Sequence, residues 1–226
     1  MTFKDRGLVI TVDGPAASGK SSASRIVAER LGMEHVDVGI VFRLITLHLM
    51  DRGFKFDKSP ETLLKNEIEV EFKDSKFFLN GKNVSTRIRD KDVSLNAAKM
   101  GANNFMKEKV YEIERNIAKK GESVIFSGRD TGAIVFPDAD LKFYINASIE
   151  KRARRRHSDY RKLMNNVTLD EVYTIILKRD EYDIKRGSLI KPENAITIDN
   201  SGDTLEKAVL GMEEEIKRYI SKMDEK

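Results

Sequence analysis

Leu8-Val9-Ile10-Thr11-Val12 runs directly into Asp13-Gly14-Pro15-Ala16-Ala17-Ser18-Gly19-Lys20-Ser21-Ser22. The first five residues are apolar or β-branched, as a buried strand requires, and Lys20 to Leu31 carries helical spacing. The glycine-bracketed segment between them is therefore a strand-to-helix turn. Such a turn aims successive backbone N–H groups into a cavity that also receives the positive end of the helix dipole. Anionic oxygens fit there. Lys20 is placed to reach the outer two phosphates of a nucleoside triphosphate, and the Ser21 hydroxyl to ligate a Mg²⁺ that bridges them. Gly14, Pro15, Ala16, Ala17, Ser18, Gly19, Lys20, Ser21 and Ser22 are accordingly expected to bind the triphosphate, with Ser21 as the metal ligand.

Outward from this turn, short strand-like runs alternate with helical stretches. Val124 to Phe126, Leu141 to Ile145, Ala195 to Ile198 and the shorter His35-Val36 read as strands. Helical spacing fits Val41 to Asp51, Val93 to Lys119, Ile149 to Leu163, Leu169 to Arg186 and Thr204 to Met223. Gly32, Gly53, Gly121 and Gly187 fall at or just past helix ends, where a left-handed residue is favoured. The expected class is α/β, a doubly wound parallel sheet with helices on both faces. One stretch departs from it. Glu67 to Phe72, Lys76 to Leu79 and Lys82 to Val84 read as antiparallel strands, with Asn80-Gly81 as a tight turn. A single domain over residues 1–226 is expected, with an insertion at about 60–90 and a lid at about 150–165.

With 226 residues, 40% of them hydrophobic, the chain can bury one sizeable core. The 41 basic and 37 acidic residues leave a net charge of only +4, too small an excess to demand nucleic acid. There are no cysteines, which excludes a disulfide framework and a thiolate zinc site. Met1 to Arg6 is polar and charged, and the apolar run Ile40 to Met50 is interrupted by Arg43 and His48. Neither a secretory signal nor a membrane span is expected, and the default compartment is the cytoplasm. His35, His48 and His157 show no metal-ligand spacing.

Further chemistry clusters in four places. Ser127-Gly128-Arg129-Asp130-Thr131-Gly132 follows a strand, at the carboxyl end where ligands bind in open α/β sheets. There Arg129 can fork onto a phosphate and Asp130 can accept from an amine or a sugar hydroxyl, or the two can pair structurally. Arg43 sits near the start of a helix after Asp37, against the macrodipole, so that a nearby anion would favour it; a snorkelling surface arginine is the alternative. Lys151-Arg152-Ala153-Arg154-Arg155-Arg156 crowds cations along one helix, which fits a lid over transferring phosphates, a nucleic-acid patch or a solvated face. Arg179, Asp183 and Arg186 share a helix face, suited either to a nucleotide's ribose and phosphate or to salt bridges among themselves.

These stretches carry a family likeness. Asp13-Gly14-Pro15 with Gly19-Lys20, Asp37 to Arg43, Leu79-Asn80-Gly81 with Val84-Ser85 and Asn96-Ala97-Ala98 come first. Gly128-Arg129-Asp130, Val135-Phe136-Pro137-Asp138-Ala139 and Arg179-Asp180 follow. The ordered set resembles the bacterial cytidylate kinase family over nearly the whole chain. The resemblance implies the P-loop nucleoside monophosphate kinase fold, with an acceptor-binding insertion and an arginine-rich lid, and Mg²⁺-assisted phosphorylation of CMP or dCMP by ATP. It further implies Lys20, Arg129, Arg152, Arg155 and Arg156 as catalytic residues. Arg43, Arg129 and Arg186 would hold the acceptor phosphate, Asp130 and Lys109 the base, and Arg179 with Asp183 the sugar. The partners it implies are these small nucleotides alone, with neither membrane nor nucleic acid, and a monomer. The chain departs from the family pattern at Val38, usually Ser or Thr, and at Ser127, usually Asp. Lys99 lies near a usual serine and Lys109 near a usual arginine. These departures leave open another pyrimidine acceptor such as UMP, or a regulatory nucleotide-binding protein with degraded catalysis.

Overall fold

The computed structural model describes residues 7–65, 67–73, 76–101, 103–161, 167–202 and 204–225. They form two compact units, one built from the described residues up to 35 and from 121 onward, and one from those between 36 and 120.

The first unit is organised by β1 (Val9–Asp13). β6 (Val124–Ser127) and β7 (Leu141–Asn146) flank it in parallel, with Ile10 opposite both Ile125 and Leu141. β8 (Ile196–Asp199) extends the sheet in parallel beyond β7. β2 (Glu34–Asp37) completes the order β2-β6-β1-β7-β8, entering through the hydrogen bond from Glu34 N–H to Ser123 O. The period-2 alternation of the strands selects one apolar face. Ile10, Val12, Ile125, Phe143 and Ile145 pack against Ala23 and Val27 of α1 (Lys20–Leu31) and Val209, Met212 and Ile216 of α8 (Glu206–Asp224). The 209, 212, 216 spacing is the helical stripe that such a face needs. The interleaved positions Asp13 and Tyr144, paired in register, turn to the other face. A second small core joins α6 (Ile149–Arg161) to α7 (Leu169–Lys185) through Ala153, Val172 and Ile176, with Ala17 of the glycine turn packed against it. α7 opens on a capping box, Thr168 with Glu171. The sequence extends α6 to Leu163 and the lid to 165; residues 162–166 lie outside the described residues, as do Met1 to Arg6.

The second unit contains α2 (Val38–Asp51), α3 (Glu61–Leu64), α4 (Lys91–Met100) and α5 (Asn104–Ala118). It also holds an antiparallel sheet, β3 (Val70–Lys73), β4 (Lys76–Leu79) and β5 (Lys82–Asn83). The β4–β5 turn places Asn80 at φ 49° and Gly81 at φ 74°, the paired left-handed geometry that Asn-Gly selects. The single helix read over Val93 to Lys119 is two helices. Asn103 starts the second by accepting from Met106 N–H.

His48 lies fully buried on α2. Arg52 Nη1 (3.1 Å) and Asn80 Nδ2 (3.3 Å) both donate to its Nδ1, so the ring is neutral and its proton is on Nε2, a buried atom with no partner. Burial, followed by the Arg52 charge, holds the imidazole at about 4, well below its ordinary 6.5. The unfolded chain therefore binds the proton more readily, and this contribution to stability is complete above pH 6.5 and lost as pH falls towards 4. The Asp13 carboxyl, raised by burial to about 6, has the opposite slope over nearly the same window, so the whole protein is a poor reporter. The difference between parent and His48→Gln isolates the effect. On going from pH 7 to pH 5, urea unfolding should show the parent losing about 2 kcal/mol more than the variant.

Candidate functional site

The glycine turn after β1 is built by backbone conformations and close approaches that exclude side chains. Gly14 (φ 151°), Ala17 (φ 58°) and Gly19 (φ 93°) alternate the chain's direction. A Cβ on Gly14 would stand 2.1 Å from the backbone oxygen of Ile145, and one on Gly19 would stand 2.4 Å from Asn200 Nδ2. Three carbonyls of the turn accept from side chains. Pro15 O accepts from Lys20 Nζ at 3.1 Å, and Ala16 O accepts from Arg152 Nη1 at 3.2 Å. Ser18 O accepts from Asn200 Nδ2 at 2.7 Å and from Arg155 Nη1 at 3.3 Å. α1 begins at the end of the turn with no side-chain cap and no acidic residue in its first turn, whereas α2, α5 and α7 are capped by Asp37, Asn103 and Thr168. The uncapped end with its aligned dipole is a place for an anion. Gly14→Ala should lower stability by about 3 kcal/mol and abolish nucleotide binding, because the obstructing atom belongs to β7 and cannot move aside; thermal unfolding with and without ATP checks both.

The arginines of α6 divide by target. Arg152, buried, donates from Nε to Ala147 O at 3.0 Å and from Nη1 to Asp180 Oδ2 at 2.6 Å as well as to Ala16 O. Arg155 adds Asn200 O at 2.8 Å and Gly202 O at 3.2 Å to its bond with Ser18 O. Both arginines thus secure the turn. Arg156 instead lies over Tyr160, 5.5 Å from the ring centroid, and its charge is felt by Arg129.

Gly128-Arg129-Asp130 is docked onto the end of β1 by one carboxylate. Asp13 Oδ1 accepts from Thr131 N–H at 3.0 Å and Oδ2 from Gly132 N–H at 2.8 Å. Burial raises the Asp13 carboxyl to about 6 against the pull of these two amides, with Asp130 raising it further and Lys20 lowering it. The glycine turn and the Arg129 turn therefore meet at Asp13. Arg129 pairs with Asp183, whose Oδ2 also accepts from Arg179 Nε at 3.1 Å. Burial lowers the Arg129 pKa and the Asp183 carboxylate opposes the shift; the guanidinium stays charged. Asp180 and Asp183, three residues apart on α7 and both buried, anchor Arg152 and Arg129 respectively. Arg186, exposed, donates to Tyr182 OH at 2.5 Å.

In the other unit, Arg43 is half-buried on α2. Lys109 is buried on α5, where its Nζ meets Glu112 Oε1 at 2.9 Å. Reading the sequence missed Asn200, Asp180 and Asp13 as parts of the site. Asp13, the last residue of β1, and Asn200, directly after β8, were signalled by position, at a strand's carboxyl end.

Among the described residues, no group of three or more His, Asp or Glu side chains is placed to hold a metal ion. The donor set still fits Mg²⁺, which takes one or two protein oxygens and completes its octahedron with water and phosphate. The Ser21 hydroxyl, in the first turn of α1, is such an oxygen. No described helix is long and apolar enough to cross a membrane.

The sequence profile described as cytidylate kinase matches residues 10–218. The chain is 34% identical over 223 residues to the cytidylate kinase of Fusobacterium nucleatum subsp. nucleatum, covering 97% of this chain and 98% of that protein. It is 37% identical over 227 residues to the cytidylate kinase of Chloroherpeton thalassium, covering 96% of each. Among solved structures, the shikimate kinase of Bacteroides thetaiotaomicron superposes with a TM-score of 0.52 at 11% identity, over 93% of this chain and 98% of that one. That likeness is one of fold.

Proposed function

Because the chain belongs to the cytidylate kinase family, we propose that it transfers the γ-phosphoryl group of ATP to CMP or dCMP, giving ADP and CDP or dCDP. The observation that carries this reading is the joining of the glycine turn and the Arg129 turn through Asp13, which supports a triphosphate cradle working together with an arginine suited to a second phosphate. The names of the relatives favour CMP over UMP as acceptor. It acts as a cytoplasmic monomer on small nucleotides.

In the transfer, an oxygen of the acceptor phosphate attacks the γ-phosphorus in line. The bond from that phosphorus to the β–γ bridging oxygen breaks, and ADP leaves with the electron pair. The attacking oxygen is already anionic, so no side chain has to remove a proton, and positioning carries the rate. Lys20 places a point charge at the outer phosphates, and Arg129 and Arg156 bring charge to the acceptor side. Arg152 and Arg155 hold the cradle's carbonyls. Arg129 and Arg186 bind the acceptor phosphate, Asp130 the cytosine, and Arg179 with Asp183 the sugar. Mg²⁺, held by Ser21, would neutralise charge on the β- and γ-oxygens.

Incubating the enzyme with ATP, Mg²⁺ and a panel of CMP, dCMP, UMP, AMP and GMP, and quantifying both diphosphate products, tests the reading. CMP and dCMP should give ADP and a pyrimidine diphosphate in equal amounts. ADP formed with no second diphosphate, or no turnover with any acceptor, would refute it.

A further inference from the structure

Two side chains behind the cradle have no part in the scheme above. Ser127 ends β6 with 1% of its surface exposed. Its Oγ lies 3.3 Å from Ser21 Oγ and 3.0 Å from His35 Nε2 on β2. The three groups form a line from the first turn of α1, across the end of the sheet, to an imidazole.

A buried hydroxyl between two partners has one proton to give and must accept from the other side, so the line has two polarities. In one, His35 donates to Ser127 and Ser127 donates to Ser21. In the other, Ser21 donates to Ser127 and Ser127 donates to His35 Nε2, with the imidazole proton on Nδ1. A cation on Ser21 chooses between them. An oxygen that gives a lone pair to a divalent ion becomes a stronger donor and turns its own hydrogen away. A Ser127 hydrogen aimed at that oxygen would point a positive dipole at the ion. The polarity compatible with the cation therefore runs Ser21 to Ser127 to His35.

We propose that Ser127 and His35 are positioning residues for the divalent cation: His35 Nε2 accepts from Ser127, Ser127 accepts from Ser21, and the Ser21 lone pair is thereby aimed at a hard cation carried by the nucleotide. This rests on the nucleotide reading of the cradle. Without the line, the Ser21 hydroxyl is free to rotate and to bond backward to the preceding turn, as serines near helix starts do. Outer partners of this kind commonly alter metal affinity by about 10- to 100-fold. Here the hydroxyl is one ligand among several, so the low end applies.

The test titrates free Mg²⁺ against the intact protein with a fluorescent ADP analogue, beside the analogue's affinity in EDTA. Ser127→Ala, nearly isosteric, and His35→Leu should each raise the Mg²⁺ midpoint by about tenfold and leave the EDTA affinity within about twofold of the parent. The double variant should be no worse than either single one, because the two residues act in series. His35→Gln, whose amide oxygen can occupy the Nε2 position, should restore most of the parent midpoint. An unchanged Mg²⁺ midpoint in Ser127→Ala and His35→Leu would overturn the proposal. So would equal losses in EDTA and in Mg²⁺, since that is damage to the cradle as a whole. A parent that fails to bind the analogue at all would instead refute the nucleotide reading, and the relay with it.

Discussion

Replacing Lys20 by alanine is expected to lower kcat for CMP-dependent ADP formation by about 10³-fold, as losses of preorganised transition-state charge do. The folding cost is small. Lys20 Nζ donates to Pro15 O at 3.1 Å, a partly buried neutral-acceptor bond whose loss costs about 1 kcal/mol. Most of the change must then appear in turnover and little in the unfolding midpoint, and that contrast separates a catalytic lysine from a structural one. Lys20→Arg should recover little activity, because a planar fork cannot take the place of a compact ammonium at the end of the same turn. A second consequence follows from Asp13, which the Lys20 charge helps to keep ionised. With that charge removed, the Asp13 carboxyl rises above about 6, and the residual activity should decline at a higher pH on the acid side than in the parent. Steady-state rates from pH 5.5 to 8, with circular dichroism as the fold control, measure both. Retention of more than a tenth of the parent kcat would mean that the cradle does not hold the transferring phosphates.

The parts of this molecule that were legible in the sequence are those fixed by local chemistry. An apolar run ending in a glycine turn gave β1 and α1 almost to the residue, since a strand, a turn with positive φ and a helix each leave their own spacing. Asn80-Gly81 gave its turn for the same reason. Gly32, Gly53, Gly121 and Gly187 all adopt positive φ, between 60° and 82°, as helix-terminating glycines do. The break between α4 and α5 was hidden because apolar positions keep the helical period on both sides of Gly101, and one glycine in such a pattern is ambiguous. Partner choice was illegible for a different reason. Asp13 and Gly132 are 119 residues apart, and Asn200 and Ser18 are 182 apart. Nothing in either neighbourhood announces the other. Arginine clustering on α6 was plain, yet the division of Arg152 and Arg155 towards backbone carbonyls, and of Arg156 towards the Tyr160 ring, depends on where the sheet puts α6. Likewise His35 shows no ligand spacing, and only the adjacency of β2 and β6 brings it to Ser127.

Removing the Asp183 carboxylate should have the largest effect on stability. One oxygen, Oδ2, receives both Arg129 and Arg179, and the residue is only 3% exposed. Deleting one member of a buried ion pair strands the other charge, at a cost of about 3–5 kcal/mol. Arg179 is itself 43% exposed along its side chain and can turn to water, so the burden falls on Arg129. Asp183→Asn retains one acceptor oxygen and belongs near the lower figure; Asp183→Ala, which also leaves a gap, belongs near the upper one. Urea unfolding at pH 7 reads the difference. An anion supplies the control: in Asp183→Ala the two arginines lack a counter-charge, so millimolar sulfate or CMP should raise the unfolding midpoint of this variant more than that of the parent. The rise follows the linkage relation, growing with the logarithm of ligand concentration above its dissociation constant. If the variant loses less than about 1 kcal/mol, the paired arginines are sufficiently hydrated that Asp183 is not their necessary partner. If it loses the expected amount but no anion restores it, the arginines are buried away from any ligand, and Arg129 cannot be the group that receives the acceptor phosphate.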